Sequence, residues 1–233
     1  MTHDEPNQVH QINQLVERKS KLAIWIASEK TLESAKERLK LAEKLVEAGL
    51  NLDRMGRLFP EAQMLPSGHK AEFREFVREY KFYLAFENQW HCRDYITEKV
   101  WTNGFRSETV PVVWGATKKD YEAALPPNSF IFADDYSPEE LTNYLNYLDK
   151  NDTAYMEYFR WRTLKISQMA NNGRQSGVCQ LCRILHGINT DNIFNTRQNE
   201  KYLRIPAFSL PEQPRIIHSL SEDFFGTENS ECY

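Results

Sequence analysis

The chain has 233 residues, of which 41% are hydrophobic, 12% aromatic and 27% charged, with 29 basic against 33 acidic side chains for a net charge of −4. That length and composition describe a globular protein with room for one or two domains, and the charge lacks the basic excess of a nucleic-acid binder. No run reaches the ~18 apolar residues that cross a bilayer, and residues 1–14 are polar, without the apolar core of a secretion signal.

Residues 1–20 read as a polar lead-in. The apolar run 22–27, with Ile24, Trp25 and Ile26, predicts a strand buried on both faces. Over 31–48 the pattern turns helical, with Leu39, Ala42 and Leu45 on one face and Gly49 placed as a left-handed cap. A short strand is expected over 50–54, a helix over 69–80 and a strong strand at 82–86. The alternation continues with a helix at 97–104, a strand at 110–115 that tolerates Pro111 near its start, a helix at 118–125 and a strand at 130–133. A helix at 138–148 carries Glu139 and Glu140 in its first turn, favourable at the positive end of the helix dipole. An aromatic-rich helix is expected over 155–170. Strands spaced by helices of this size predict an α/β, Rossmann-like parallel sheet with right-handed crossovers over 21–187. From 188 to 233, Asn, Thr, Pro and Ser dominate, and the segment reads as a poorly ordered tail.

Four cysteines are too few for a disulfide scaffold at this size. Cys179 and Cys182 form a C-x-x-C, while Cys92 and Cys232 stand alone. Zinc would need two further ligands and His186 completes no recognised pattern, so structural thiols or disulfides are the expected reading and no metal site is assigned.

The chemistry concentrates between 80 and 115. A buried strand ends at Phe86 and delivers Glu87 and Asn88 at its carboxyl end, where open α/β sheets bind ligands. The segment Asp94-Tyr95-Ile96-Thr97-Glu98-Lys99 then enters a helix, whose N-terminal N–H groups suit a diphosphate. Lys99 adds a positive charge for phosphate oxygens, and Glu98 a carboxylate for a ribose diol. The plainer alternatives are a solvated first helical turn at Thr97, Glu98 and Lys99, core roles for Tyr95 and Trp101, and a loop cap at Asn88.

The strings YKFYLAFEN (80–88), DYITEK (94–99) and VPVVWG (110–115) resemble, in the same order, the signature of the α1,3-fucosyltransferases. The similarity continues through Pro127, Asn128 and Ser129, through the stretch 147–155, and through Tyr158, Phe159, Arg160 and Trp161. The strand at 24–28 is similar to the opening strand of that family's donor-binding half. Two departures stand out: Gln89 replaces the usual serine, and the loop Gln89-Trp90-His91-Cys92 is one residue longer.

The resemblance implies the carboxyl-terminal half of a GT-B glycosyltransferase, transferring fucose from GDP-fucose to an N-acetylglucosamine-containing glycan or glycoprotein with inversion. It implies donor contacts from Asn88, Tyr95, Glu98 and Lys99, and from an arginine seven residues before a leucine, which Arg38 fits, with Lys36 as the alternative. An exposed helix charge is the plain reading of Arg38. No cofactor is expected beyond the donor substrate, and the family's catalytic base is a glutamate of an acceptor-binding domain, so no base is nominated among Glu87, Asp94 or other residues here. The resemblance also implies residence in the Golgi membrane, with the domain luminal. Asn151-Asp152-Thr153 is a sequon for N-glycosylation at Asn151. Late cysteines stabilise the carboxyl-terminal end in this family. Cys179 and Cys182 bond to each other, pair with cysteines of another domain, or stay reduced; the local bond is the expected one for oxidised protein. An anchor, stem and acceptor domain are not expected before residue 20, so the chain is read as the donor-binding half. Two rival readings stay open, an inactive nucleotide-binding fragment and an unrelated α/β module for another nucleotide sugar.

Overall fold

The run at 22–27 forms β1 (Lys21–Ile26), in which Leu22 to Trp25 are all buried. The computed structural model describes residues 5–28, 33–59, 71–90 and 95–163. Those up to Arg160 belong to one compact unit, and a second, beginning at Trp161, is described only to Thr163. Helix α2 (Glu33–Glu47) follows β1 and turns Arg38, Ala42 and Leu45 inward. It ends as the sequence predicts: Gly49 at φ +95° lets Leu50 N donate to Leu45 O at 2.9 Å and Gly49 N to Val46 O at 2.9 Å, closing the last turn.

Strand β2 (Leu52–Met55), α3 (Ala71–Arg78), β3 (Tyr80–Phe86), β4 (Val110–Trp114), α4 (Lys118–Ala124), β5 (Ile131–Phe132) and α5 (Pro138–Lys150) complete the alternation. Every pairing is parallel and the order is β2-β1-β3-β4-β5. All residues of β3 and β4 are buried, as central parallel strands covered on both faces require. One face of β3 (Phe82, Leu84, Phe86) joins the main core with α2 and α5. The opposite face presents Tyr83 to the segment after residue 98, where Asn103 Nδ2 donates to its hydroxyl at 3.0 Å. Lys81 is buried at the start of β3 because Asp149 O at 2.6 Å and Asp152 Oδ1 at 2.9 Å receive its ammonium.

Three local expectations are corrected. Within the segment read as a polar lead-in, Glu5–Glu17 form α1, which buries Ile12, Leu15 and Val16; that three-residue stripe is short enough to be masked by its polar neighbours. The helix expected at 97–104 is a π-helix over Lys99–Gly104, continued by a 3-10 turn over Phe105–Ser107. The helix expected from 155 is split into α6 (Asp152–Met156), capped by Asn151 Oδ1 accepting from Ala154 N at 3.1 Å, and a 3-10 stretch over Glu157–Thr163. The carboxyl boundary near 187, the expected tail over 188–233, and Cys92, Asp94, Cys179, Cys182 and Cys232 lie outside the described residues.

Candidate donor site at the β1/β3 switch

After β2 the chain crosses β1 and enters the sheet on its other side as β3. A crevice opens at the carboxyl ends of strands where such an order reverses, and nucleotides bind there. The loops leaving β1 and β3 therefore define the candidate site. Beneath it runs a chain of aromatic rings, Phe59–Trp25–Phe86–Trp114–Trp90, with centroids 5.6, 6.1, 6.2 and 6.2 Å apart in turn.

Arg38 reaches the crevice from α2. Its guanidinium lies 5.8 Å from the centre of the Trp25 ring, and Nη1 donates to Phe86 O at 3.3 Å and Asn88 Oδ1 at 2.6 Å. The side chain is 1% exposed, which removes the reading of Arg38 as a solvated helix charge, whereas Lys36 is exposed. Arginine suits the position because its planar guanidinium can face an aromatic ring and stays charged when buried.

Glu87 is the centre of the second cluster. Its backbone N donates to Trp114 O at 2.9 Å, prolonging the β3/β4 ladder one residue beyond the strand. Its carboxylate is fully buried and accepts from Thr97 N at 2.8 Å, from Thr97 Oγ1 at 2.9 and 2.8 Å, and from Lys99 Nζ at 2.8 Å. Lys99 also donates to Thr97 Oγ1 at 3.0 Å and lies 3.8 Å from Glu98 Oε1. Room for Glu87 comes from Gly115: at φ +129°, a Cβ there would stand 2.6 Å from Glu87 Cβ and 2.8 Å from Gln89 O.

The sequence-predicted residues thus fall into two contacting groups, Arg38 with Asn88 and Glu98 with Lys99, joined through the adjacent Glu87 and Asn88. Glu98 is 62% exposed at its side chain and Lys99 12%. Tyr95 is half-buried. Trp101 is 38% exposed and packs edge-on against Phe105 at 5.9 Å, so it is not a core aromatic. The expectation of a helix N-terminus with unclaimed N–H groups is corrected at Thr97, whose N–H is already held by Glu87.

Sequence reasoning placed Glu87, Thr97 and Gly115 within the motif strings but assigned none of them a role in the site. The available signal was Glu87 itself: a carboxylate directly after seven buried strand residues must be hydrogen-bonded or paired, and Thr97 and Lys99 are its partners. Two phenols lie near the cluster. Burial pushes Tyr83 and Tyr121 well above the ordinary value of 10.0, against the opposing hydrogen bonds from Asn103 and from Ala116 N.

Fixed cations, a carboxylate at the surface and a buried anchor at a switch point form an arrangement suited to a nucleoside diphosphate. Residues 16–200 match the family model described as "Glycosyltransferase family 10 (fucosyltransferase) C-term". Over 145 residues, 62% of this chain, it is 43% identical to the 3-galactosyl-N-acetylglucosaminide 4-alpha-L-fucosyltransferase of Pan troglodytes, covering 36% of that protein. The 4-galactosyl-N-acetylglucosaminide 3-alpha-L-fucosyltransferase of Homo sapiens is likewise 43% identical over 145 residues, with 38% of it covered. The chain spans little more than a third of the length of these curated relatives. The doubly wound parallel sheet and the match over most of the chain agree: this protein belongs to glycosyltransferase family 10, the fucosyltransferases, and represents the carboxyl-terminal domain of that family.

Proposed function

We propose that the protein serves transfer of fucose from GDP-fucose to an N-acetylglucosamine-containing glycan or glycoprotein, with inversion at the anomeric carbon, and that the described residues supply the donor side. The observation that carries this reading is the convergence of Arg38, Asn88, Glu87, Glu98 and Lys99 at the carboxyl ends of β1 and β3, in a chain of the fucosyltransferase family. The galactosyl-N-acetylglucosaminide acceptors in the names of its relatives support the acceptor class.

In an inverting transfer the sugar–phosphate bond breaks as the acceptor oxygen attacks, and negative charge accumulates on the departing diphosphate. Groups already fixed in place lower that barrier because they need not reorganise. Lys99 and Arg38 supply the positive charge, Asn88 a polar contact beside them, Glu98 an acceptor for the ribose hydroxyls, and Tyr95 a further donor contact. This charge set requires no resident metal ion in the reading. Removal of the acceptor proton falls to a base outside these residues, so no catalytic base is assigned here. Work in the Golgi lumen, held at the membrane, follows from the same reading; no helix among the described residues is long and apolar enough to cross a membrane.

Titration calorimetry with GDP, UDP and ADP tests the donor class. Tighter binding of GDP than of the other two is expected, and equal or absent binding of all three would overturn the proposal.

A further inference from the structure

We propose that Glu87 is a positioning residue for the donor, acting through Lys99 and with Thr97 as its partner; the inference rests on the donor reading above. An ammonium has three N–H groups on a flexible four-carbon stem. In this structure Glu87 Oε2 takes one at 2.8 Å and Thr97 Oγ1 a second at 3.0 Å. Glu98 Oε1, at 3.8 Å, stands outside hydrogen-bond distance. Among the described residues nothing takes the third N–H, which is left for an incoming oxygen with its direction set by the other two.

Stability alone is a poor account of this arrangement. A buried ion pair must recover the desolvation of both charges, and an apolar pair of similar volume often stabilises as well or better. What an apolar pair cannot do is aim an ammonium. Glu87 is well placed to aim one, because it continues a central strand, its N–H is tied to Trp114 O and its carboxylate is enclosed. The same carboxylate holds Thr97 by both its N–H and its hydroxyl, so the acceptor that shares Lys99 is itself fixed. The pair lowers the net charge that Lys99 offers and supplies direction instead, which is how a rigid element improves a phosphate contact made by a mobile side chain.

The test is GDP affinity of the full chain, by calorimetry, for wild type, Glu87→Gln, Lys99→Ala and the double variant. Glutamine can still accept from Thr97 N–H but turns an NH₂ toward Lys99, where a donor meets a donor. Glu87→Gln is expected to weaken GDP roughly 10-fold, as is Lys99→Ala, the range for one charge-assisted contact. The double variant should bind no more weakly than Lys99→Ala alone, because residues acting through one another are not additive. Multiplying losses, or wild-type affinity in Glu87→Gln, would overturn the inference. Should Glu87→Gln fail to fold, Thr97→Val serves in its place: a severalfold loss that disappears in the Lys99→Ala background supports the inference, and one that persists there overturns it. Wild-type protein that binds no GDP overturns the donor reading and this inference together, an outcome separate from additive losses in protein that does bind.

Discussion

Nη1 of Arg38 donates to Oδ1 of Asn88 at 2.6 Å, joining a helix residue to one 50 positions later in the loop after β3. The bond ties α2 to the loop after β3 at the sheet's switch point and fixes which way the Asn88 amide faces. Arg38→Lys keeps the charge but loses the planar guanidinium that faces the Trp25 ring at 5.8 Å and carries Nη1 to Phe86 O and Asn88 Oδ1. It is expected to cost about 1–3 kcal/mol in stability, measured by denaturant unfolding. Arg38→Ala and Asn88→Ala combined in a double-mutant cycle should show a coupling of about 1 kcal/mol or more. Additive effects would show that the contact does not shape the site.

Gly115→Ala tests the room made for Glu87. The added carbon would lie 2.6 Å from Glu87 Cβ, on backbone at φ +129°. Strain and displacement together should cost about 2–4 kcal/mol. The variant should also lose GDP affinity, because Glu87 moves with it. A variant that melts like wild type and binds GDP equally would contradict the assigned geometry.

Glu98→Ala separates binding from folding. Its side chain is 62% exposed, so removal should leave the denaturation midpoint within about 0.5 kcal/mol of wild type. GDP affinity should fall by about tenfold with the loss of the ribose contact. Calorimetry with guanine nucleotides lacking a ribose hydroxyl should show no further loss in this variant.

Alkaline pH should unfold the protein through its buried phenols. Tyr83 and Tyr121 are held well above the ordinary value of 10.0, mainly by burial. Below pH 10 folded and unfolded states both keep these protons. Above it the unfolded chain releases them and the folded one does not, so stability falls as pH rises. Each such tyrosine contributes up to about 1.4 kcal/mol per pH unit. Unfolding midpoints followed from pH 9 to 11 should drop steeply above 10, and Tyr121→Phe should flatten the drop. A rise in phenolate absorbance before unfolding that is lost in Tyr83→Phe or Tyr121→Phe would show that these groups titrate in the folded state.

The parallel sheet was legible because its strands are short apolar runs at intervals filled by helical periodicity. β1, β3 and β4 stand out since buried parallel strands carry few polar residues. α1 was hidden because three apolar residues, Ile12, Leu15 and Val16, hold it to the core. The π-helix at Lys99–Gly104 was not legible as such, since its residue pattern fits an ordinary helix and the hydrogen-bond register depends on neighbours. Of the candidate site, the spacing of Asn88, Glu98 and Lys99 was readable along the chain. The roles of Glu87 and Thr97 were not, because their contact arises from the turn that folds residue 97 back onto residue 87. Arg38 was nominated by the family resemblance, with Lys36 as the alternative, and its burial came from the packing of α2 on Trp25.

The sequon at Asn151 also serves as a cap, with Oδ1 accepting from Ala154 N at 3.1 Å and Nδ2 donating to Tyr147 Oη at 2.9 Å. Asn151→Asp keeps the capping oxygen and removes the nitrogen that would carry a glycan. Secreted protein with a glycan there should lose its endoglycosidase-sensitive mass in this variant while keeping its melting temperature. Asn151→Ala should lose the cap as well, at a cost of about 1 kcal/mol. Unchanged mass in Asn151→Asp would show that no glycan is attached at this position.

Trp90 and Trp114 lie with their rings 9° from parallel and their centroids 6.2 Å apart, one in the loop that follows Asn88 and the other at the end of β4. Two indoles so close share their excited states, so the pair should give a split circular dichroism band that neither ring would give alone. The band depends on the angle and distance between the rings. The protein thereby carries an optical gauge beside its crevice, one that reads the position of the loop without any added dye.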